Sequence, residues 1–109
     1  MGEKAAFAVV LVTASGLEEG NKICAAILER RLAACVNIVP KISSLFWWQG
    51  KIDAADEVLL IIKTRASRVK DIIDAVKDIH SYSVPEVIAL PVMAGHTGYL
   101  DWIAGEVAE

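Results

Sequence analysis

The chain has 109 residues, 55% of them hydrophobic and 23% charged, with a formal net charge of -3. That length fits one domain, residues 1–109, and leaves little room for a second. No apolar run approaches the ~20 residues of a membrane-spanning helix, and Lys and Arg are too scattered to form the concentrated positive face that nucleic-acid phosphates require.

The mean hydropathy of +0.47 is more apolar material than a monomer of this size hides easily. Met1-Gly2-Glu3-Lys4 has neither the basic region nor the cleavage site of a secretory leader, so the cytoplasm is the expected compartment. Cys24 and Cys35 form no CxxC pair and are expected to be reduced thiols.

Residues 5–13 are apolar at nearly every position and read as a strand buried on both faces. Ser15 followed three residues later by Glu18 is a capping-box pattern, which predicts a helix from near Gly16 to about Ala33. Its apolar face carries Ile23, Ile27, Leu28 and Leu32. Residues 35–48 are rich in β-formers. Pro40 interrupts them and cannot donate to a ladder, so an edge strand or a bulge is expected there. Gln49-Gly50 predicts a tight turn, and residues 51–64 return as the second arm of a long hairpin. Residues 67–79 place Val69, Ile72, Ile73, Val76 and Ile79 at helical spacing. A polar connection leads from His80 through Val84-Pro85 into a last strand at residues 86–92. A loop at 93–98 precedes a short helix at 99–107, with Tyr99, Trp102, Ile103 and Val107 turned inward.

This order, β-α-β-β-α-β with an extra C-terminal helix, is an α+β, ferredoxin-like sandwich. Right-handed crossovers put the first and third strands side by side at the centre and both main helices on one face. The uncovered face should then alternate apolar and polar, yet residues 5–12 and 58–62 do not alternate. A partner covering that face is expected, and packing several subunits together is the economical way to do it.

The most chemical stretch is His80-Ser81-Tyr82-Ser83-Val84-Pro85-Glu86, which gathers a His, a Tyr and a Glu at a strand entry. His80 and Glu86 have the chemistry to ligate a metal or move protons; the same polarity also suits an ordinary loop. Cys35 reads either as a small buried hydrophobe or as a soft-metal ligand, and His96 as a second imidazole or a solvated loop residue. In Phe46-Trp47-Trp48, adjacent side chains on a strand face opposite ways, so one Trp can pack while the other meets a partner or caps a cleft. No nucleophile–base–acid set and no phosphate-binding loop is present, and no enzyme activity is expected.

Five blocks in order resemble the CutA divalent-cation-tolerance proteins. They are Leu32-Ala33-Ala34-Cys35-Val36-Asn37-Ile38, Trp47-Trp48-Gln49-Gly50-Lys51-Ile52, Glu57-Val58 leading to Lys63-Thr64, His80-Ser81-Tyr82-Ser83-Val84-Pro85-Glu86-Val87, and Tyr99-Leu100-Asp101-Trp102-Ile103. The resemblance implies a homotrimer similar in assembly to PII signalling proteins, a cytoplasmic setting, and a link to divalent metals, copper above all. It implies no obligatory cofactor. In bacterial members credited with copper binding, the ligands include a Cys near the end of the first strand and a His-His pair. Here Val12 and Ile79-His80 stand in those places, so His80 carries over as the candidate metal ligand, with Cys35 a distant second. By the same resemblance Glu57, Lys63, Tyr82, Glu86 and Trp48 line a cleft between subunits. The expected function is a trimeric, non-enzymatic divalent-cation-tolerance protein with weak or shared binding of Cu2+ or another divalent ion. The alternative is a PII-like trimeric module whose cleft takes a small anion, with Lys63 supplying the charge, or a partner protein.

Overall fold

The computed structural model describes residues 5–108; Met1–Lys4, on which the leader reading rests, lie outside the described residues. The elements run β1 (Phe7–Ala14), α1 (Leu17–Glu29), β2 (Cys35–Trp48), β3 (Lys51–Arg65), a 3-10 turn (Ala66–Arg68), α2 (Val69–Ile79), β4 (Val87–Pro91) and α3 (Thr97–Glu106). They form one four-stranded antiparallel sheet of order β2-β3-β1-β4. The first and third strands are central, as the crossover rule requires.

The core lies between this sheet and α1 and α2. Val10 and Val12 of β1, Leu60 and Ile62 of β3, Ile23 and Ile27 of α1, and Ile72 and Val76 of α2 are all fully buried. Each such side chain contributes about 1.5–3 kcal/mol of transfer free energy. At Gly20 the helix comes so close to the sheet that an added Cβ would stand 3.0 Å from Val58 Cγ2.

Helix α1 starts where expected, but its capping acid and its end differ from expectation. Helix α1 begins at Leu17 with Gly16 as its N-cap, and Glu19, not Glu18, reaches back to Ser15. Glu19 is the third helical residue, one turn above the cap, and its carboxylate accepts the Ser15 N–H at 3.0 Å. The helix stops at Glu29 rather than near Ala33 because Arg31 takes a left-handed conformation, φ 54°. The Arg31 N–H then bonds to the Leu28 carbonyl and the Leu32 N–H to the Ile27 carbonyl, each at 3.0 Å. That is a Schellman closure with Arg where Gly is usual. Its hydrophobic contact is made by the buried Ile27 and Leu32, while Leu28, expected on the apolar face, is 41% exposed.

Pro40 satisfies both of its expected roles. Strand β2 is an edge of the sheet, and its register with β3 shifts between Val39 and Ile42. Beyond that bulge the β2–β3 hairpin runs out past the core, and the long axis of the molecule reaches 43 Å. The hairpin closes through Gln49, φ 50°, and Gly50, φ 79°. Positive φ at both central residues matches the twist of the flanking strands. Gly50→Ala is expected to destabilise by about 1 kcal/mol, because a Cβ in the left-handed region meets the following carbonyl; urea unfolding of the two proteins side by side measures it.

The opposite face of the sheet has no helix over most of its area. Along it lie Val9 and Leu11 of β1, Leu59 and Ile61 of β3, and Ile88 and Leu90 of β4; Ile88 is 52% and Leu90 49% exposed. Helix α3 covers one end, where Arg65 donates to the Ala104 carbonyl. Ile103 and Val107 are buried there, but Tyr99 and Trp102, expected inward, are more than 40% exposed and meet in a tilted contact at 5.5 Å.

Candidate functional site

The connection between α2 and β4 is pinned to the start of α1 by a compact set of hydrogen bonds. His80 Nε2 donates to the Thr13 carbonyl at 2.6 Å. Because a carbonyl only accepts, that nitrogen carries the proton. The Tyr82 N–H donates to Nδ1 at 3.1 Å, so the second nitrogen offers its lone pair, and the ring is the neutral Nε2–H tautomer. The imidazole side chain is fully enclosed. Glu19 completes the set. Its carboxylate accepts from the Ser15 N–H and hydroxyl at 3.0 and 3.1 Å and from the Ser81 N–H at 2.8 Å, and it stands 3.6 Å from His80 Nδ1. Burial alone would raise this carboxyl; the hydrogen bonds from Ser15 and Ser81 outweigh it and bring the pKa down to about 2.

From this anchor the chain projects Tyr82 over the sheet. Its hydroxyl donates to Glu57 Oε2 at 3.0 Å. Glu57 is only 8% exposed, at the foot of the hairpin on β3. Burial, and then the hydrogen bond to the Glu57 carboxylate and its negative charge, push the Tyr82 phenol up to about 12, so Tyr82 is a donor throughout the neutral range. Together they form one side of an open cavity of about 820 Å³, which Trp48, Asp53, Ser83 and Glu86 also line. Every charged residue lining it is acidic.

The residues expected at the site are thus divided. Glu57, Tyr82, Glu86 and Trp48 line one cavity, whereas Lys63 does not. Lys63 lies six residues along β3 from Glu57, opposite Val9 on one side and Cys35 on the other. His80 lies behind the cavity with both nitrogens engaged. Cys35 is half-buried beside Tyr99, and Cys24 is buried in α1, which raises its thiol pKa. His96 accepts from the Tyr99 N–H at 3.2 Å and caps α3. Among the described residues, no three or more His, Cys, Asp and Glu side chains gather into a group that could hold a metal. A resident metal built on His80 therefore does not fit this arrangement. The residues that the sequence reading missed are Asp53, which lines the cavity, and Glu19. The only sequence signal for Glu19 was an acid in a helix's first turn.

An antiparallel split βαβ sheet with two helices on one face, a projecting hairpin and an acidic cavity at its foot defines a small ferredoxin-like α+β domain. Residues 8–106 match the CutA1 divalent ion tolerance protein family, and the chain belongs to that family. It is 48% identical to the divalent-cation tolerance protein CutA of Archaeoglobus fulgidus over 94 residues, 86% of this chain and 91% of that one. It is also 48% identical to the chloroplastic CutA 1 of Oryza sativa over 101 residues, 93% of this chain. The chain spans about half the length of its plant and mammalian relatives, 57% of the rice protein and 51% of human CutA. The crystal structure of rice CutA1 superposes with a TM-score of 0.93 at 45% identity, covering 97% of each chain. An A. fulgidus structure described as a periplasmic divalent cation tolerance protein gives 0.91 at 44%, covering 94% of this chain and 99% of that one. Among the described residues no helix is long and apolar enough to cross a membrane.

Proposed function

We propose that this protein serves divalent-cation tolerance as a non-enzymatic trimer, binding divalent metal weakly or between subunits rather than holding it as a resident cofactor. The observation that carries the proposal is the family match over residues 8–106. The open apolar face supports assembly, because a patch of this extent on a soluble chain marks an interface. The enclosure of His80 supports weak rather than tight binding of copper, which favours imidazole nitrogen. The remaining donors are carboxylate and hydroxyl oxygens in the cavity, at Asp53, Glu57, Glu86 and Tyr82. Such oxygens suit hard divalent ions without enforcing one geometry. The free thiols of Cys24 and Cys35 agree with a reducing, cytoplasmic setting.

The test is a Cu2+ titration of the purified protein against a competing chelator, comparing wild type with His80→Ala and Glu57→Gln. A dissociation constant weaker than about 1 μM, with affinity reduced further in Glu57→Gln and unchanged in His80→Ala so long as Tyr82 still meets Glu57, is the expected outcome. Tight binding that vanishes in His80→Ala while Tyr82 still meets Glu57 would restore the imidazole as a ligand and overturn the weak-site reading.

A further inference from the structure

Arg31 holds a backbone conformation that suits glycine better. Its φ of 54° lies in the left-handed region, where a Cβ is strained. Glycine would close α1 without that strain. What arginine adds is a contact 75 residues away. Its Nη1 donates to the Glu106 carbonyl at 3.2 Å and to the Glu106 carboxylate at 3.0 Å. The Arg31 carbonyl in turn accepts the Ala108 N–H at 2.9 Å. One residue therefore ends α1 and clasps the last turn of α3.

Apart from that clasp, α3 is lightly held. A helix of 10 residues is not stable alone. Within it only Ile103 is buried, with Val107 just beyond its end, and Arg65 adds one hydrogen bond to the Ala104 carbonyl. The clasp spans an open cavity of about 360 Å³, which Leu28, Ala33 and Ala34 also line, instead of resting on packed side chains. Both of its members stay in water, Arg31 63% and Glu106 45% exposed. Such an ion pair is weak, and salt screens it. Few buried contacts and exposed hydrogen bonds mark a segment that opens below the free energy of global unfolding. The thiol of Cys35 is half-buried beside Tyr99 of this helix, so it reports whether α3 is in place.

We infer that α3 is a latch that opens and closes as one unit over the end of the sheet's open face, with the Arg31 clasp setting how often it opens. Closed, it shields that end of the face and the Cys35 thiol. Open, it frees both, and the apolar area that the chain offers to a partner grows. Because the clasp is an exposed ion pair, ionic strength shifts the balance towards the open form. The inference goes beyond the proposed function and does not depend on metal binding.

The test is hydrogen exchange read by mass spectrometry on the wild-type protein and on Arg31→Gly, each at low and high salt. In wild type the α3 amides should exchange together and faster than those of β1 and α1, and faster again at high salt. Arg31→Gly removes the strain along with the clasp. It should speed α3 exchange by about fivefold and leave β1 and α1 no less protected than in wild type. Its α3 should also lose the response to salt, and alkylation of Cys35 should accelerate in step. An α3 as protected as β1 in wild type overturns the inference. So does an Arg31→Gly protein whose α3 is unchanged, or whose faster exchange is spread evenly over the whole chain.

Discussion

His80→Ala is expected to lower folding stability by about 3–5 kcal/mol in the absence of any metal. The ring makes a buried hydrogen bond to the Thr13 carbonyl and accepts a partly buried one from the Tyr82 N–H. Removing it strands both backbone groups, at about 1–3 kcal/mol each, and leaves a cavity where the surroundings relax only in part. His80→Asn should recover part of the loss, because its amide carries one donor and one acceptor like the neutral imidazole. Equilibrium urea unfolding in chelator, at fixed protein concentration, reads the difference directly. A loss below about 1 kcal/mol would mean that the ring is not a structural pin. The consequence reaches the metal question: the loop that His80 holds also positions Tyr82 and Glu86 at the cavity. Metal affinity lost in His80→Ala therefore indicates ligation only if Tyr82 still meets Glu57 in the variant.

The fold was legible because its signals are local and periodic. Alternation and apolar runs located all four strands, Pro40 located the edge and its bulge, and Gln49-Gly50 located the hairpin turn. Chain order alone then placed β1 and β3 at the centre. The misjudged details depend on backbone dihedrals or on distant contacts. The left-handed Arg31 ends α1 without a glycine to announce it. Glu19 acts through Ser81, 62 residues away, so no local pattern separates it from Glu18. Tyr99 and Trp102 looked like core residues by type but stay partly exposed, because α3 reaches over only one end of the sheet and fully buries just Ile103 and Val107. At the site, composition drew attention to the His80–Glu86 segment, part of which lines the cavity, but could not assign roles within it. Whether an imidazole is a ligand or a pin depends on what stands opposite its two nitrogens, here the Thr13 carbonyl and the Tyr82 N–H.

The second large effect concerns acid. Glu19 has a folded-state pKa of about 2 against an ordinary value of 4.5. Since the folded value is the lower one, the carboxylate's contribution is fully present above about pH 4.5 and is lost as pH falls towards 2. With the side chain only 14% exposed, solvent screening takes little from it, and the contribution at neutral pH is on the order of 3 kcal/mol. Glu19→Gln keeps an acceptor oxygen but removes the charge. At pH 7 the variant should unfold at lower denaturant than wild type by roughly that amount; between pH 4.5 and 2 the gap should close as wild type loses the same charge. The slope separates the cause. A gap that stays constant with pH would assign the effect to packing or amide geometry, whereas convergence assigns it to the ionised carboxylate. The site should respond as well, because Glu19 holds Ser81, and Ser81 leads directly into Tyr82. A Glu19→Gln variant that is still folded should show looser closure of Tyr82 on Glu57, seen as a tyrosine absorbance titration moving down from about 12 toward the ordinary value of 10.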